Sequence, residues 1–489
     1  LIRGLMMEKK YIVGIDEGTT NARAVLYDVK KKTIVKQESK NFKQYYPNPG
    51  WVEHDAEEIF KCVEGCLNAV LDGLKPEEVY GIGITNQRES VVAWNKKTGK
   101  PAYKSIVWQC RRTEKLCENI TNRIKIIIKK KTGLIVDAYF SASKMKWILD
   151  NSEKVRALDK EDNLCFGTID SFLLYRLTGG KTFATDVTNA SRTMLFNINT
   201  LCWDEELLKY FGIKKQTLPS IVSNSEILGT AKTAIGEIPI ASMIGDQQSA
   251  LFGQGCFYKG MAKDTFGTGC FLLYNSGEKP ISSKTLLTDI AWKIGDKTTY
   301  ALEGSVFNAG SAITWLVENM EMISSPKETN DIDKKAPTNL GVYFIPAFTG
   351  LGAPHWKGDV RGSITGLTRG TTKYHIVRAC LESMVYSSQD ILAYMGGISE
   401  LRCDGGVTNS DFLLQFLSDL SGLKVTRQKS VEATVLGAVY LAGLATGAFK
   451  SLEDISKLIK PAKTFMPKES KEKMIECYEG WKNALEHIY

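Results

Sequence analysis

Several short stretches of this chain set acids, glycines and hydroxyls where an anionic substrate could be handled. The first is "IDEGTTNARAVLYD", Ile15 to Asp28. One glycine breaks two apolar runs, with Asp16 before the break and Thr19, Thr20 and Asn21 after it. Glycine reaches backbone conformations closed to other residues, so successive amides can point at one anion. Thr19, Thr20 and Asn21 add side-chain donors and Arg23 adds a charge. Asp16 alone would repel a phosphate; it fits if a divalent cation lies between them, directly or through water. Read by itself, the stretch is equally a hairpin turn with a hydrogen-bonding aspartate.

In "MIGDQQSALFGQG", Met243 to Gly255, an apolar run ends at Gly245 and Asp246 and Gln247 follow. An acid at a strand's end is poised in a cleft and could take a proton from a hydroxyl; alternatively it caps the next helix. In "GITNQRESVV", Arg88 and Glu89 are adjacent at a strand's start. Adjacent residues of a straight strand point to opposite faces. If the chain turns there, both face one pocket, and a donor beside an acceptor suits a vicinal diol. Otherwise they are two solvated surface charges. Trp108 in "IVWQCRRT" and Phe271 in "TGCFLLY" could cover the C–H face of a polyol, or simply pack in the core. In "LRCDGGVTNSDFLLQFLSDL" a strand runs into Asp404 and two glycines precede a helix. That suits the sugar or phosphate of a nucleotide, although helix-starting turns without ligands are common.

The elements that must position these residues follow from periodicity. "YIVGIDEGTTNARAVLYD" and "TIVKQESKNFKQY" read as three strands joined by short, antiparallel connections. A helix is predicted at about Asp55 to Leu74, with capping-box spacing at Asp55 and Glu58 and with Ile59, Val63, Leu67, Val70 and Leu74 on one face. "VYGIGITNQ" is a buried strand, and "ESVVAWNKKTGKPA" a hairpin turning at Thr98-Gly99. The second half repeats the pattern: strand, Gly/Thr turn and strand at Met261 to Asn275, then a hairpin-like run, a helix through Trp315 and a long helix from about Tyr374 to Met395. A further helix is predicted from about Ser410 to Ser421. "EATVLGAVYLAGLATG" is a helix so rich in small residues that something must pack close against it. The two glycine turns suggest related domains facing one cleft. The expected domains are 7–257 and 258–489, each a mixed sheet with covering helices.

The 489 residues are too many for one core. The net charge of +8 comes from short lysine runs, Lys30 to Lys32 and Lys129 to Lys131, that read as exposed surface. No stretch interleaves aromatics with basic residues, so a nucleic-acid partner is not expected. No apolar run is long enough to span a membrane. The six residues ahead of Met7 read as a leader or added segment and carry no fold information. Eleven cysteines without a Cys-x-x-Cys pair, and only four histidines, speak against structural zinc. Cys62 and Cys66 read as helix packing, and free thiols point to the cytoplasm.

In chain order, "GIDEGTT", "PGWVEHD", "GITNQRE", "IVWQCRRT", "TNASRTMLFN", "GDQQSALFGQ", "FGTGCF", "FTGLGAPHW" and "GLTRG" resemble the FGGY carbohydrate kinase family, from Tyr11 to about Gly447. "YFSASKMKWILDN" matches a family signature too. "PGWVEHD" and "TNQRE" are more typical of the members acting on glycerol than of xylulose or gluconate kinases. The resemblance implies an α/β protein of two actin-like, RNase-H-like ATPase domains around a central cleft. It implies the reaction of ATP with glycerol to give sn-glycerol 3-phosphate and ADP, with Mg²⁺, in a homodimer or larger homo-oligomer. By position, Arg88, Glu89, Tyr139, Asp246 and Gln247 would hold glycerol, with Trp108 and Phe271 as apolar wall and Asp246 as general base. Thr19, Thr20, Asn21, Arg23, Thr268, Gly310, Thr314, Gly406 and Ser410 fall at nucleotide positions, and Asp16 and Asp246 at metal positions. Thr314 replaces a glutamine of the bacterial members, and Ser410 an asparagine, with Asn409 one residue early. Glu237 stands where regulated bacterial members carry a basic residue, which argues against sugar-phosphate feedback there. Two rivals stay open at this point: a kinase of a longer polyol or ketose, and an actin- or chaperone-like ATPase acting on proteins.

Overall fold

The computed structural model describes residues 9–430 and 432–488. The segment ahead of Met7 lies outside the described residues.

The opening strands form as read: β1 (Tyr11–Glu17), β2 (Asn21–Asp28) and β3 (Thr33–Asn41). They pair antiparallel, with Asp16 opposite Arg23. Helix α1 (Ala56–Leu71) follows, capped by Asp55, whose carboxylate accepts the amides of Glu57 and Glu58. The expected capping box is not closed, because the Glu58 carboxylate accepts the amide of Lys43 at 2.9 Å. The helix stops before Leu74, at Gly73 in the left-handed region (φ 84°). Strand β4 (Val79–Asn86) lies parallel to β1, and after a long insertion β5 (Ser225–Thr233) and β6 (Gly236–Gly245) complete a six-stranded sheet in the order β5-β6-β4-β1-β2-β3. Helix α2 (Asp246–Gly253) starts where β6 ends.

The second half repeats this path. Strands β7 (Met261–Phe266), β8 (Cys270–Gly277), β9 (Leu287–Ile294) and β10 (Lys297–Val306) are antiparallel neighbours. Helix α3 (Gly310–Glu318) and the long α4 (Lys373–Leu392) follow, then β11 (Glu400–Asp404), parallel to β7. Helix α5 (Asp411–Ser421), β12 (Val425–Gln428), helix α6 (Ala433–Ala445) and β13 (Pro461–Phe465) come next, and a helix over Lys471–Glu486 packs back into the core of this half. The sheet order is β9-β10-β8-β7-β11-β12-β13. Matching β7, β8, β10, β11 and β12 to β1, β2, β3, β4 and β6 reproduces both strand order and direction. The similarity of the two glycine turns thus extends to whole sheets.

The insertion between β4 and β5 supplies three strands of a five-stranded sheet, whose other two, Gln44–Tyr45 and Glu53–His54, come before α1, and it has its own core around Phe140, Phe166, Phe196 and Trp203. The expected hairpin at Thr98-Gly99 is short. The chain turns with Gly99 at φ 67°, and its two arms pair antiparallel at Trp94 to Pro101 and again at Val91 to Ile106. The strand's continuous partner is instead Leu164–Thr168. Lys129 departs from the exposed-run reading: its ammonium donates to the carbonyls of Gly133 and Leu286, while Lys131 pairs with Asp204 and Glu206. Cys66 is buried in α1, as a packing residue should be.

Helix α6 belongs to the second half by sequence but lies on the sheet of the first. Its small residues are explained there. A Cβ on Gly253 of α2 would overlap the Ala433 carbonyl, one on Gly437 the Ser249 carbonyl, and one on Gly83 of β4 the Ala438 carbonyl. Ser242 and Ser249 reach across with hydroxyl bonds to the Ala438 and Thr434 carbonyls, at 2.8 and 2.6 Å.

Candidate active site

Arg88 and Glu89 sit where the chain bends after β4. The bend does what a straight strand cannot: both side chains enter one buried pocket, with Arg88 Nε 3.7 Å from Glu89 Oε1. Arg88 Nε is also 3.3 Å from Asp246 Oδ1, and Nη2 is 3.5 Å from the Tyr139 hydroxyl. Tyr139 packs edge-on against Trp108, ring centroids 5.6 Å apart, and Trp108 Nε1 donates to Thr19 Oγ1 at 3.0 Å. The insertion therefore links the Arg88 pocket to the opening turn. Phe271 makes no ring contact with Trp108 or Tyr139. It is half-buried opposite Ser305 in the other sheet, on the face that strand alternation gives to Glu303.

Glu303, Arg192 and Asp289 were not singled out from the sequence, and they are the strongest electrostatic feature of the site. Glu303, on β10, receives a fork from Arg88, Nη1 at 2.6 Å and Nη2 at 3.0 Å. Arg192 donates to Glu89 at 2.6 Å, to both oxygens of Asp289 at 2.8 and 2.7 Å, and to Glu303 at 3.1 Å. Arg192, Asp289 and Glu303 are each 0% exposed. Burial alone would raise the Glu303 carboxyl, but Arg192 and Arg88 outweigh it and hold it well below its ordinary range. The available signal was one charge inside an apolar stretch: Glu303 in "YALEGSV" and Arg192 in "NASRTML".

Asp246 is the first residue of α2, with Oδ1 accepting the amide of Gln247 at 2.7 Å and its side chain 29% exposed. Burial pushes its carboxyl up to about 6, against the pull of Arg88. Gln247 Oε1 accepts from the ammonium of Lys263 at 2.5 Å. Lys263 also donates to Thr265, which donates to Asp404 at 2.6 Å. This chain runs from the first half to the strand-end acid noted in "LRCDGG". Lys263 itself was not anticipated.

The opening turn is ordered by its own backbone, Gly18 N to Asn21 O at 2.9 Å. Gln87 Nε2 also ties down Gly18 O at 3.1 Å and the buried carboxyl of Glu17 at 2.8 Å. Burial raises Glu17 well above the usual carboxylate range. Thr20 is exposed and Thr19 partly so. Asn21 differs from the expected free donor, because its amide is spent on Ser39 Oγ at 2.9 Å. Arg23 differs likewise: it pairs with Asp16 at 3.1 Å and with Glu432. Burial raises the Asp16 carboxyl even so. Parallel registry puts Asp16 and Ile244 on either side of Thr85. The carboxylates of Asp16 and Asp246 therefore emerge at the same end of the sheet, two strands apart.

A cavity of about 740 Å³ opens beside the second glycine turn, lined by Thr268, Gly310, Thr314 and Gly406 among others. Gly310 has no room for a side chain, since a Cβ would meet the Gly267 carbonyl at 2.5 Å. Ser410 is a correction. It is 1% exposed and turned inward as the cap of α5, accepting the amide of Leu413, and Asn409 is the side chain on the cavity wall. Thr314 faces the cavity with its hydroxyl back-bonded to the Gly310 carbonyl at 3.2 Å. Among the described residues no group of three or more His, Cys, Asp or Glu could hold a metal by itself, and no helix is long and apolar enough to cross a membrane.

Comparison with known proteins gives a consistent result. Residues 11–253 match the N-terminal domain, and residues 262–446 the C-terminal domain, of the FGGY family of carbohydrate kinases. Glycerol kinase 2 of Thermotoga maritima is 48% identical over 97% of this chain and 98% of its own. The crystal structure of Plasmodium falciparum glycerol kinase with ADP superposes with a TM-score of 0.91, at 39% identity and covering 98% of both chains. A ligand-bound xylulose kinase from Lactobacillus acidophilus has a TM-score of 0.87 at 25% identity, covering 97% of this chain and 98% of its own.

Proposed function

Because the chain belongs to the FGGY family of carbohydrate kinases, we propose that it transfers the γ-phosphoryl group of ATP to a terminal hydroxyl of glycerol. The products are sn-glycerol 3-phosphate and ADP. The observation that carries this reading is the meeting of Arg88, Glu89 and Asp246: a donor and an acceptor for a diol, beside a raised carboxyl. The glycerol kinase relatives matched along nearly the whole chain support the choice of polyol.

Phosphoryl transfer needs alignment and neutralised charge more than covalent chemistry from the protein. Arg88 and Glu89 would fix the diol, with Tyr139, Trp108 and Phe271 around its carbon skeleton and Gln247 at its edge. Asp246 would accept the terminal hydroxyl proton as that oxygen bonds to phosphorus and the bond to the ADP oxygen breaks. Thr19, Thr20 and Thr268, with the turns at Gly18 and Gly267, would face the phosphates. Thr314, Gly310, Gly406 and Asn409 would line the rest of the nucleotide. A magnesium ion commonly takes one or two carboxylates with phosphate and water completing its shell. Asp16 and Asp246 fit that need, as acids at one sheet end without a larger acidic cluster. When bound, the ion supplies charge neutralisation at the phosphate oxygens. Residues 7–257 form the polyol half of this proposal and 258–489 the nucleotide half. A cytoplasmic homodimer is part of the same proposal, and the free thiols suit a reducing compartment.

ADP release from MgATP, with glycerol, with xylulose and with neither, tests the reading. Stimulation by glycerol alone is expected. Stimulation by xylulose instead would move the substrate to a ketose. Stimulation by neither, in a folded protein that binds nucleotide, would return the protein-directed ATPase.

A further inference from the structure

We propose that Lys144 is a positioning residue for the polyol site, acting through the backbone of Tyr139; the inference deepens the glycerol reading and rests on it. Lys144 lies in the first turn of the helix Ser141–Asn151, whose cap residue, Phe140, offers no side-chain bond. A cation there stands at the positive end of the helix dipole. It is also fully buried, and taking an ammonium out of water is costly. A residue so placed needs strong compensation, and three consecutive carbonyls supply it. Lys144 Nζ donates to Ala138 O at 2.8 Å, Tyr139 O at 2.5 Å and Phe140 O at 3.0 Å. That uses all three ammonium protons on one short segment.

The segment is the one that presents Tyr139 to Arg88 and Trp108. Lys144 grips it by its carbonyls, while the Tyr139 amide donates to Asp137 at 2.8 Å and Asp137 is held by Arg111 at 2.7 Å. One turn away, Ser141 Oγ donates to the carbonyl of Glu89 at 3.1 Å. Lys144 thus reaches the site without touching the place where a substrate would lie. It also gives a physical role to the part of "YFSASKMKWILDN" that follows Tyr139.

The test compares Lys144→Met, Tyr139→Phe and the double variant in steady-state kinetics. Lys144→Met should raise the apparent KM for glycerol about 10-fold, as expected for a lost polar contact, with the KM for ATP within about twofold of the unaltered protein. In the Tyr139→Phe background it should add little further, because the two act through one contact. Equal rises in both KM values, or full additivity, would overturn the proposal.

The unaltered protein gives a second readout should the variant not fold. Burial lowers the Lys144 ammonium to about 8, opposed by Glu89. Glu89, Asp137 and the thiols of Cys110 and Cys117 are the other titratable groups that face it. As pH rises through about 8 one donor is lost, and the KM for glycerol should rise while that for ATP does not. A glycerol KM that stays flat across this range would overturn the inference whatever the variant does. No glycerol-dependent ADP release from the unaltered protein would instead sink the glycerol reading, and this inference with it.

Discussion

Single residues decide the chemistry, and Asp246 is the most exposed to test. Its carboxyl is raised to about 6 by burial and must be ionised to accept a proton. A raised value means that the active form is lost on acidification. The rate constant kcat/KM should therefore fall with decreasing pH through about 6, roughly tenfold per unit beyond it. Asp246→Ala should lower kcat by about 10²–10⁴-fold and leave glycerol affinity far less changed; near-normal turnover would remove it as the base. Glu89→Ala should weaken glycerol binding instead, and an unchanged apparent affinity would take Glu89 out of the site. Glu303→Gln removes one charge from a fully buried cluster and leaves Arg88 and Arg192 undercompensated. Breaking such a pair costs about 3–5 kcal/mol, to be read as a lower denaturation midpoint with a raised KM for glycerol. An unchanged midpoint would mean the two arginines find other partners.

Elements explain what could be read from the sequence and what could not. The opening strands, α1 and the repeated strand–turn–strand were legible because apolar periodicity fixes them locally. So was the bend at Arg88-Glu89, as a condition that the pocket imposes. Ser410 was misplaced because a serine before a helix serves equally as cap or ligand, and only the fold says which way it turns. Glu303 and Arg192 were not legible because their partners lie from 97 to 215 residues away, and Lys263 because its partner Gln247 belongs to the other half of the chain. Composition did indicate the close packing of α6. Gly437→Ala tests it with a sign. In an ordinary helix this change stabilises by about 1 kcal/mol, but here the methyl meets the Ser249 backbone. A loss of about 1–3 kcal/mol is expected, measured by thermal or denaturant unfolding, and a gain would mean that the helix contact is loose.

At the scale of the whole molecule, the proposed polyol residues other than Phe271 come from the first half and its insertion, and the 740 Å³ cavity lies beside the second sheet. A kinase must keep water from its phosphoryl group, and closing one half on the other is the usual means. Small-angle scattering should show compaction when glycerol and a non-hydrolysable ATP analogue are both present. Curves that superpose with and without both ligands would count against closure.

The crossing of α6 over the first sheet bears on how such a motion must run. Where Gly253, Gly437 and Gly83 bring backbone against backbone, only the short Ser242 and Ser249 side chains lie between, so that contact would pivot more readily than slide. In a closure of the two halves it would act as a fulcrum. Displacement should grow with distance from it, smallest beside α2 and α6 and largest at the outer edges of the cleft. Asp246, the proposed base and the first residue of α2, would then stand close to the still point while phosphate is carried toward it.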